Sequence, residues 1–215
     1  MTQAQKETKM KKQIIFDMDG TLSDTAKATT GACNDVRAQF GLPEVSESDI
    51  RSVMGYADPE FFYRLYPDFP HEMLNEVRYK VNVLEDKKIE ELGAQILFPG
   101  VDKLLSKLNS MGYSLYIAST GSTDHVHTTL KSANIEHLFK DVYCNEPVKV
   151  DMVKKIIGEH NKEDFLMVGD MHKDSDAAKA NGIFALGAAF GYLTAEEYPL
   201  FDAILQTPSD LQNYL

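Results

Sequence analysis

Apolar residues in this chain follow two alternating rhythms. Short, nearly continuous apolar runs lie at 13–16, 114–119, 142–144, 165–168 and 183–188, each too short for a helix and bounded by polar or glycine-containing turns, as buried strands are. Between the later runs, apolar positions recur every three or four residues: Val101, Leu104, Leu105 and Leu108, then 125–133, 152–158 and 175–181. Strands alternating with helices of that length predict βαβ units and a parallel sheet covered on both faces. In such a sheet the active site forms at the carboxyl ends of the strands.

The stretch from about residue 26 to 92 breaks that alternation. Ala28, Ala32, Val36 and Phe40 recur at helical spacing and stop at Gly41; Ser46 with Asp49 has capping-box spacing; Asp58-Pro59 opens a further helix. Met73, Leu74, Val77, Val81 and Leu84 mark another helix, and Phe98-Pro99-Gly100 marks the return to the alternating pattern. The expected organisation is a loose tail at 1–12, an α/β core at 13–25 and 93–215 with a Rossmann-like parallel sheet, and an inserted all-helical cap at 26–92.

Composition narrows the function classes. With 215 residues, 43% hydrophobic and 26% charged, the chain suits one full core plus a smaller unit. No apolar run approaches the ~20 residues of a membrane helix, and MTQAQKETKMKK lacks the apolar stretch of a secretory signal, so a cytoplasmic protein is expected. Cys33 and Cys144 form no CxxC motif and read as two inert thiols in a reducing compartment. A net charge of −11 argues against nucleic acid or an anionic membrane as partner. A small anionic substrate remains admissible if local cations receive it. The oligomeric state stays open, with a monomer as the default.

Four polar clusters fall at predicted strand ends. The first run continues as IIFDMDGTLSDT, which places Asp17 and Asp19 one residue apart. Two unit charges about 4 Å apart repel by roughly 4 kcal/mol at an effective dielectric near 20, so the pair calls for a cation or a proton. Ser119-Thr120 closes YSLYIAST, Lys149 stands in NEPVKVDMVKKII, and FLMVGDMHKD carries Asp170 and Asp174. In order and spacing these resemble the haloacid dehalogenase-like superfamily, with its Asp-x-Asp-Gly-Thr, Ser/Thr, Lys and Gly-Asp-x-x-x-Asp motifs; the nearest subgroup in kind is the phosphoglycolate phosphatase-like enzymes with a helical cap. The Pro that usually follows the family's lysine is replaced by Val150, and Lys154 and Lys155 lie close by.

The resemblance implies a Mg²⁺-dependent phosphatase acting on a small phosphorylated metabolite through an aspartyl-phosphate. Mg²⁺ is a hard cation that prefers carboxylate and water oxygens and removes the repulsion between carboxylates and phosphate. Asp17 is the implied nucleophile and, with Asp170 and the backbone carbonyl of Asp19, a metal ligand; Asp174 is expected to orient the metal's waters or Lys149. Asp19 is the implied acid and base, while Ser119, Thr120 and Lys149 receive the phosphoryl oxygens. Asp19-Gly20-Thr21 is similar to phosphatases rather than to dehalogenases, phosphonatases or transport ATPases. A phosphomutase of the same superfamily and a non-catalytic phosphate-binding or regulatory member of the fold are the alternatives.

Substrate choice is expected from the cap, within DIRSVMGYADPEFF. Arg51 is the candidate partner for a second anionic group, and Tyr56 the candidate contact for the carbon skeleton. His125 and His127, two apart, do not share a helix face and read poorly as a metal pair; His172 reads as a solvated loop residue.

Overall fold

The computed structural model describes residues 13–215, so the expected tail at 1–12 lies outside the described residues. Six parallel strands form one sheet: β1 (Gln13–Phe16), β2 (Ser114–Ala118), β3 (Asp141–Tyr143), β4 (Phe165–Gly169), β5 (Phe184–Ala188) and β6 (Ala203–Leu205), in the order β3-β2-β1-β4-β5-β6. β1 is central, pairing Ile14 with Leu115 on one side and with Leu166 on the other. The strand order reverses direction between β1 and β4. In open parallel sheets that switch point opens a crevice at the carboxyl ends of the strands.

The two-residue period of the strands divides their side chains between two cores. Ile14, Phe16, Leu115, Ile117, Leu166 and Val168 face one side, where α5 (Val101–Ser110) and α6 (Thr123–Ser132) cover them through Leu104, Leu105, Leu108, Val126 and Leu130. Ile15, Tyr116, Ala118, Phe165 and Met167 face the other, against α7 (Lys149–Ile157) and α8 (His172–Asn181). Burial on both faces is why these strands read as continuous apolar runs. Each fully buried aliphatic side chain contributes about 1.5–3 kcal/mol, so the strands are held mainly by these two layers.

Four helices form the insert: α1 (Ala26–Phe40), α2 (Glu47–Val53), α3 (Glu60–Leu65) and α4 (His71–Leu92). They enclose a third apolar cluster that includes Ala32, Val36, Ile50, Phe61, Phe62, Leu74, Val77 and Val81. α1 ends at Gly41, whose φ of 67° lets its N–H reach the Arg37 carbonyl. α2 starts with the capping box expected from sequence: the Asp49 N–H donates to Ser46 Oγ at 3.2 Å and the Ser46 N–H to Asp49 Oδ2 at 2.8 Å. Ala28 of α1 and Ile89 of α4 belong to the sheet's own core, which seats the insert above the strand ends.

The structure departs from the sequence reading at several edges. β6 has no counterpart among the predicted strands, because three residues cannot establish an alternation. The third strand begins one residue earlier, at Asp141, and the fifth one later, at Phe184. Lys149 is the first residue of α7 rather than standing ahead of it. No helix among the described residues is long and apolar enough to cross a membrane.

Candidate active site

Asp17 directly follows β1 and Asp170 directly follows β4, so the two acids stand side by side at the switch point. Both are buried. Lys149, at the start of α7, places Nζ 2.7 Å from Asp17 Oδ1 and 2.6 Å from Asp174 Oδ1. Asp174 occupies the first turn of α8, where its other oxygen accepts the backbone N–H groups of Asp170 (3.1 Å) and Met171 (3.0 Å). One carboxylate thereby orients the lysine and fixes the turn that carries Asp170. Lys154 is exposed on α7, away from this cluster.

The turn after Asp17 is shaped around Asp170. Gly20 has φ of 86°, and a Cβ there would lie 2.3 Å from Asp170 Oδ2 and 2.6 Å from the Tyr192 ring. Thr21 Oγ1 donates to Asp170 Oδ1 at 2.7 Å. Tyr192, in the loop after β5, pins the same segment: its N–H reaches the Gly20 carbonyl at 3.0 Å and its hydroxyl donates to Asp24 Oδ1 at 2.6 Å.

Asp170 Oδ2 is fully buried and has no hydrogen-bond partner among the described residues. Burial, and then the charges of Asp17 and Asp174, push the Asp170 carboxyl well above the usual carboxylate range. Burial also pushes Asp17 up to about 7, against the opposing attraction of Lys149. Asp17, Asp170 and Asp174 offer carboxylate oxygens that all lie within 4.8 Å of one another. An unpartnered oxygen among mutually repelling buried carboxylates fits a hard divalent cation. Asp17 and Asp170 are the residues free to hold it, since Asp174 is engaged with Lys149 and the two backbone amides.

Asp19 lies on the other side of the entrance. Its Oδ1 accepts from Thr25 (2.9 Å) and Ser23 (3.3 Å), and its two oxygens lie 3.1 and 3.0 Å from His125 Nε2. Burial raises its pKa, but His125 and these hydroxyls prevail and hold it below the usual range. Burial likewise works to lower the His125 pKa, yet Asp19 and then Glu85 push it up to about 10. Sequence reasoning dismissed His125 as half of a metal pair; it is instead a partner of the candidate acid. The available signal was its place three residues into a helix that starts just after Ser119-Thr120.

Glu85 was also missed. It occupies the apolar stripe of α4 after Leu74, Val77 and Val81, is buried, and accepts from Thr29 Oγ1. An acid at a core position of a helix was the readable sign.

The other predicted residues divide between two cavities. Ser119, Thr120, Asp17, Asp19 and Tyr56 line one. Ser119 Oγ accepts the Gly121 N–H at 3.1 Å, and Thr120 Oγ1 donates to the Gly55 carbonyl at 3.1 Å. Arg51 is absent from that cavity and lines a second, next to Asp170, that it shares with Tyr56. Its guanidinium pairs with Glu47 (3.2 Å) and Asp24 (3.5 Å) and lies 4.8 Å from the Tyr192 ring centre. Tyr56 is flanked by Lys173 Nζ at 3.6 Å and the Arg64 guanidinium at 4.0 Å. His172 opens α8 and pairs with Glu197 at 3.0 Å, which corrects its reading as a solvated loop residue.

A family model described as haloacid dehalogenase-like hydrolase matches residues 14–188. The phosphoglycolate phosphatase of Vibrio cholerae is 29% identical over 193 residues, spanning 84% of this chain and 85% of that one. The phosphoglycolate phosphatase of Synechococcus elongatus is 27% identical over 206 residues, spanning 92% and 94%. Among solved structures, a haloacid dehalogenase-like hydrolase from Streptococcus pneumoniae is similar with a TM-score of 0.81 and 26% identity, over 94% of this chain and 97% of that one.

Proposed function

This chain belongs to the haloacid dehalogenase-like hydrolases and is a phosphoric monoester hydrolase, and we propose that it is a Mg²⁺-dependent phosphatase working through an aspartyl-phosphate on Asp17. The observation that carries this reading is the single pairing of Asp17 with Lys149 at 2.7 Å beside the unpartnered Asp170 Oδ2. A nucleophilic carboxylate, a fixed cation and an open cation seat then meet at one point.

Asp17 and Asp170 would hold the metal, which when bound supplies positive charge against the phosphoryl oxygens. In the first step Asp17 forms a bond to phosphorus as the ester bond breaks, and Asp19 passes its proton to the leaving oxygen. The negative charge of an arriving phosphate favours the protonated form of Asp19 that this step requires. In the second step water attacks phosphorus, its proton returns to Asp19, and the bond to Asp17 breaks. Lys149 and the Ser119 hydroxyl stabilise the charge that spreads over the equatorial oxygens. Lys149 contacts Asp17 directly, and Ser119 lines the same cavity as Asp17 and Asp19.

The segment 26–92 acts as the cap over this site in the same reading, with a small phosphorylated metabolite as substrate. Gly55 supports it: the carbonyl of this insert loop accepts from Thr120 of the core and from Lys173 Nζ at 3.0 Å. One group just past β2 and one from the first turn of α8 thus hold the insert loop down. The direct test is hydrolysis of 4-nitrophenyl phosphate with Mg²⁺ and after exhaustive chelation. Turnover that needs Mg²⁺ supports the reading, and turnover that survives chelation refutes it.

A further inference from the structure

Asp19, His125, Glu85 and Thr29 form a contiguous, largely buried polar chain lining the cavity that Asp17 also lines. His125 Nε2 sits on both Asp19 oxygens, at 3.0 and 3.1 Å. Its other ring nitrogen has no hydrogen-bond partner among the described residues, and Glu85 Oε2 stands 3.8 Å from it. Glu85 Oε1 in turn accepts from Thr29 Oγ1, whose hydroxyl also reaches the Thr25 carbonyl at 3.1 Å. The side chains of Asp19, His125 and Glu85 are only 13%, 14% and 11% exposed.

Four separate elements supply these groups. Asp19 follows β1, His125 is in the first turn of α6, and Thr29 and Glu85 come from α1 and α4 of the insert. Desolvating three ionisable groups costs several kcal/mol each before their attraction offsets it, so an apolar packing of the same space would hold these helices at least as well. The arrangement is better explained by what it does to Asp19. A carboxylate that moves a proton to a leaving oxygen has to be held in one orientation, and an off-target displacement of about 1 Å costs on the order of 10²-fold in rate.

We propose that His125 is a positioning residue that aims the Asp19 carboxyl group at the leaving oxygen, and that Glu85 makes this aim depend on how the insert is seated. The proposal rests on the phosphatase reading above. His125 acts through Asp19, whose two oxygens its Nε2 holds. A slight approach of α4 converts the 3.8 Å contact with Glu85 into a hydrogen bond and locks the imidazole from its far side. Asp19 is then best aligned when the insert is down over a bound substrate.

The test uses the full chain with Mg²⁺ and three esters of similar shape but graded leaving groups: phenyl, 4-nitrophenyl and 2,4-dinitrophenyl phosphate. Misplacing the acid slows the ester that most needs protonation. In His125→Asn, kcat/KM, which reports the first chemical step alone, should fall about 10²-fold on phenyl phosphate, within the range that general acids contribute. On 2,4-dinitrophenyl phosphate kcat/KM should fall less than about threefold, while kcat, limited by the Asp19-assisted release common to all esters, falls along with KM. His125→Gln, whose amide nitrogen extends about as far as the imidazole Nε2 where that of Asn falls short, should recover part of the loss.

Glu85→Gln keeps the Thr29 contact and protects against misfolding as an explanation; it should show the same graded pattern more weakly. Equal losses in kcat/KM on all three esters, or none, in both His125→Asn and Glu85→Gln overturn the positioning role. If the unaltered chain cleaves all three esters, that failure leaves the phosphatase reading standing. If it cleaves none, both fall.

Discussion

Lys149 Nζ lies 2.7 Å from Asp17 Oδ1 while the same nitrogen holds Asp174 Oδ1 at 2.6 Å, so one buried cation is shared between the candidate nucleophile and the residue that shapes the Asp170 turn. Its ammonium form is favoured accordingly: burial opposes the charge, but Asp17 and Asp174 outweigh burial and raise its pKa. Lys149→Met leaves both carboxylates buried without their partner. Removing one member of a buried pair costs about 3–5 kcal/mol, and that loss is expected in urea denaturation carried out in chelator. Hydrolysis should fall by at least ~10²-fold. A variant as stable as the parent would contradict the pairing.

Asp170→Asn should behave in the opposite sense. It removes a repelling charge and keeps an oxygen to accept from Thr21, so the metal-free melting temperature should equal or exceed that of the parent. The rise on adding Mg²⁺ should disappear. Gly20→Ala, which sets a methyl carbon where Asp170 Oδ2 and Tyr192 already lie, should also lose the Mg²⁺-induced rise, but with a less stable metal-free fold. Retention of the full rise in Asp170→Asn would remove it from the metal site.

The two acids at the end of β1 should separate kinetically. Asp17→Asn is expected to abolish both turnover and the covalent phosphoenzyme. Asp19→Asn leaves the nucleophile in place, so an activated ester should still load Asp17 while release is slowed, and phosphoenzyme should accumulate. Quenched-flow trapping with labelled ester distinguishes the two. Equal residual activity in both variants would contradict the assignment.

Specificity should respond to the insert loop rather than to the strand ends. Arg51 and Tyr56 share the cavity beside Asp170, and Tyr56 reaches both cavities. Arg51→Ala and Tyr56→Phe should change relative kcat/KM across a panel of phosphorylated metabolites by about tenfold, while sparing a small aryl ester. Uniform loss on every substrate would make these residues structural, in keeping with their contacts to Glu47, Asp24, Arg64 and Lys173.

The thiol of Cys33 gives a stability signature in the insert. Burial, and then the charge of Glu85, push its pKa from the usual 9.0 up to about 12. Above pH 9 the unfolded chain releases this proton while the folded chain keeps it. Stability from this group is therefore undiminished below about pH 9 and falls as pH rises toward 12, by up to about 1.4 kcal/mol per pH unit. Cys33→Ala should flatten the fall in melting temperature above pH 9 relative to the parent. Parallel pH curves for the two proteins would show that the thiol is not the cause.

Much of this was readable from local pattern because its physics is local. Strands buried on both faces need unbroken apolar runs such as IIF and FLMV, and parallel strands have to send their carboxyl ends to one edge. That reasoning brings Asp17, Ser119, Lys149 and Asp170 to a common edge before any coordinate is known. Ser46 and Asp49 were legible for the same reason, since a capping box closes within four residues.

The polar chain beyond Asp19 was not legible. His125 lies 106 residues from Asp19, and Glu85 is 56 from Thr29. No local periodicity encodes such contacts; they arise when α4 and α6 pack together and bring an acid from one apolar stripe against a histidine in another helix's first turn. Arg51 teaches the converse. Its position in the last turn of α2, just before the insert loop, suggested substrate, but tertiary folding also sets Asp24, Glu47 and Tyr192 around it. By itself, then, the sequence determined the sheet, the edge where chemistry gathers and the residue types that serve it, all through short-range patterning and burial. Tertiary structure alone decided which charges touch, because a few ångströms of helix packing separate an unpaired carboxylate from one fixed by a partner a hundred residues away.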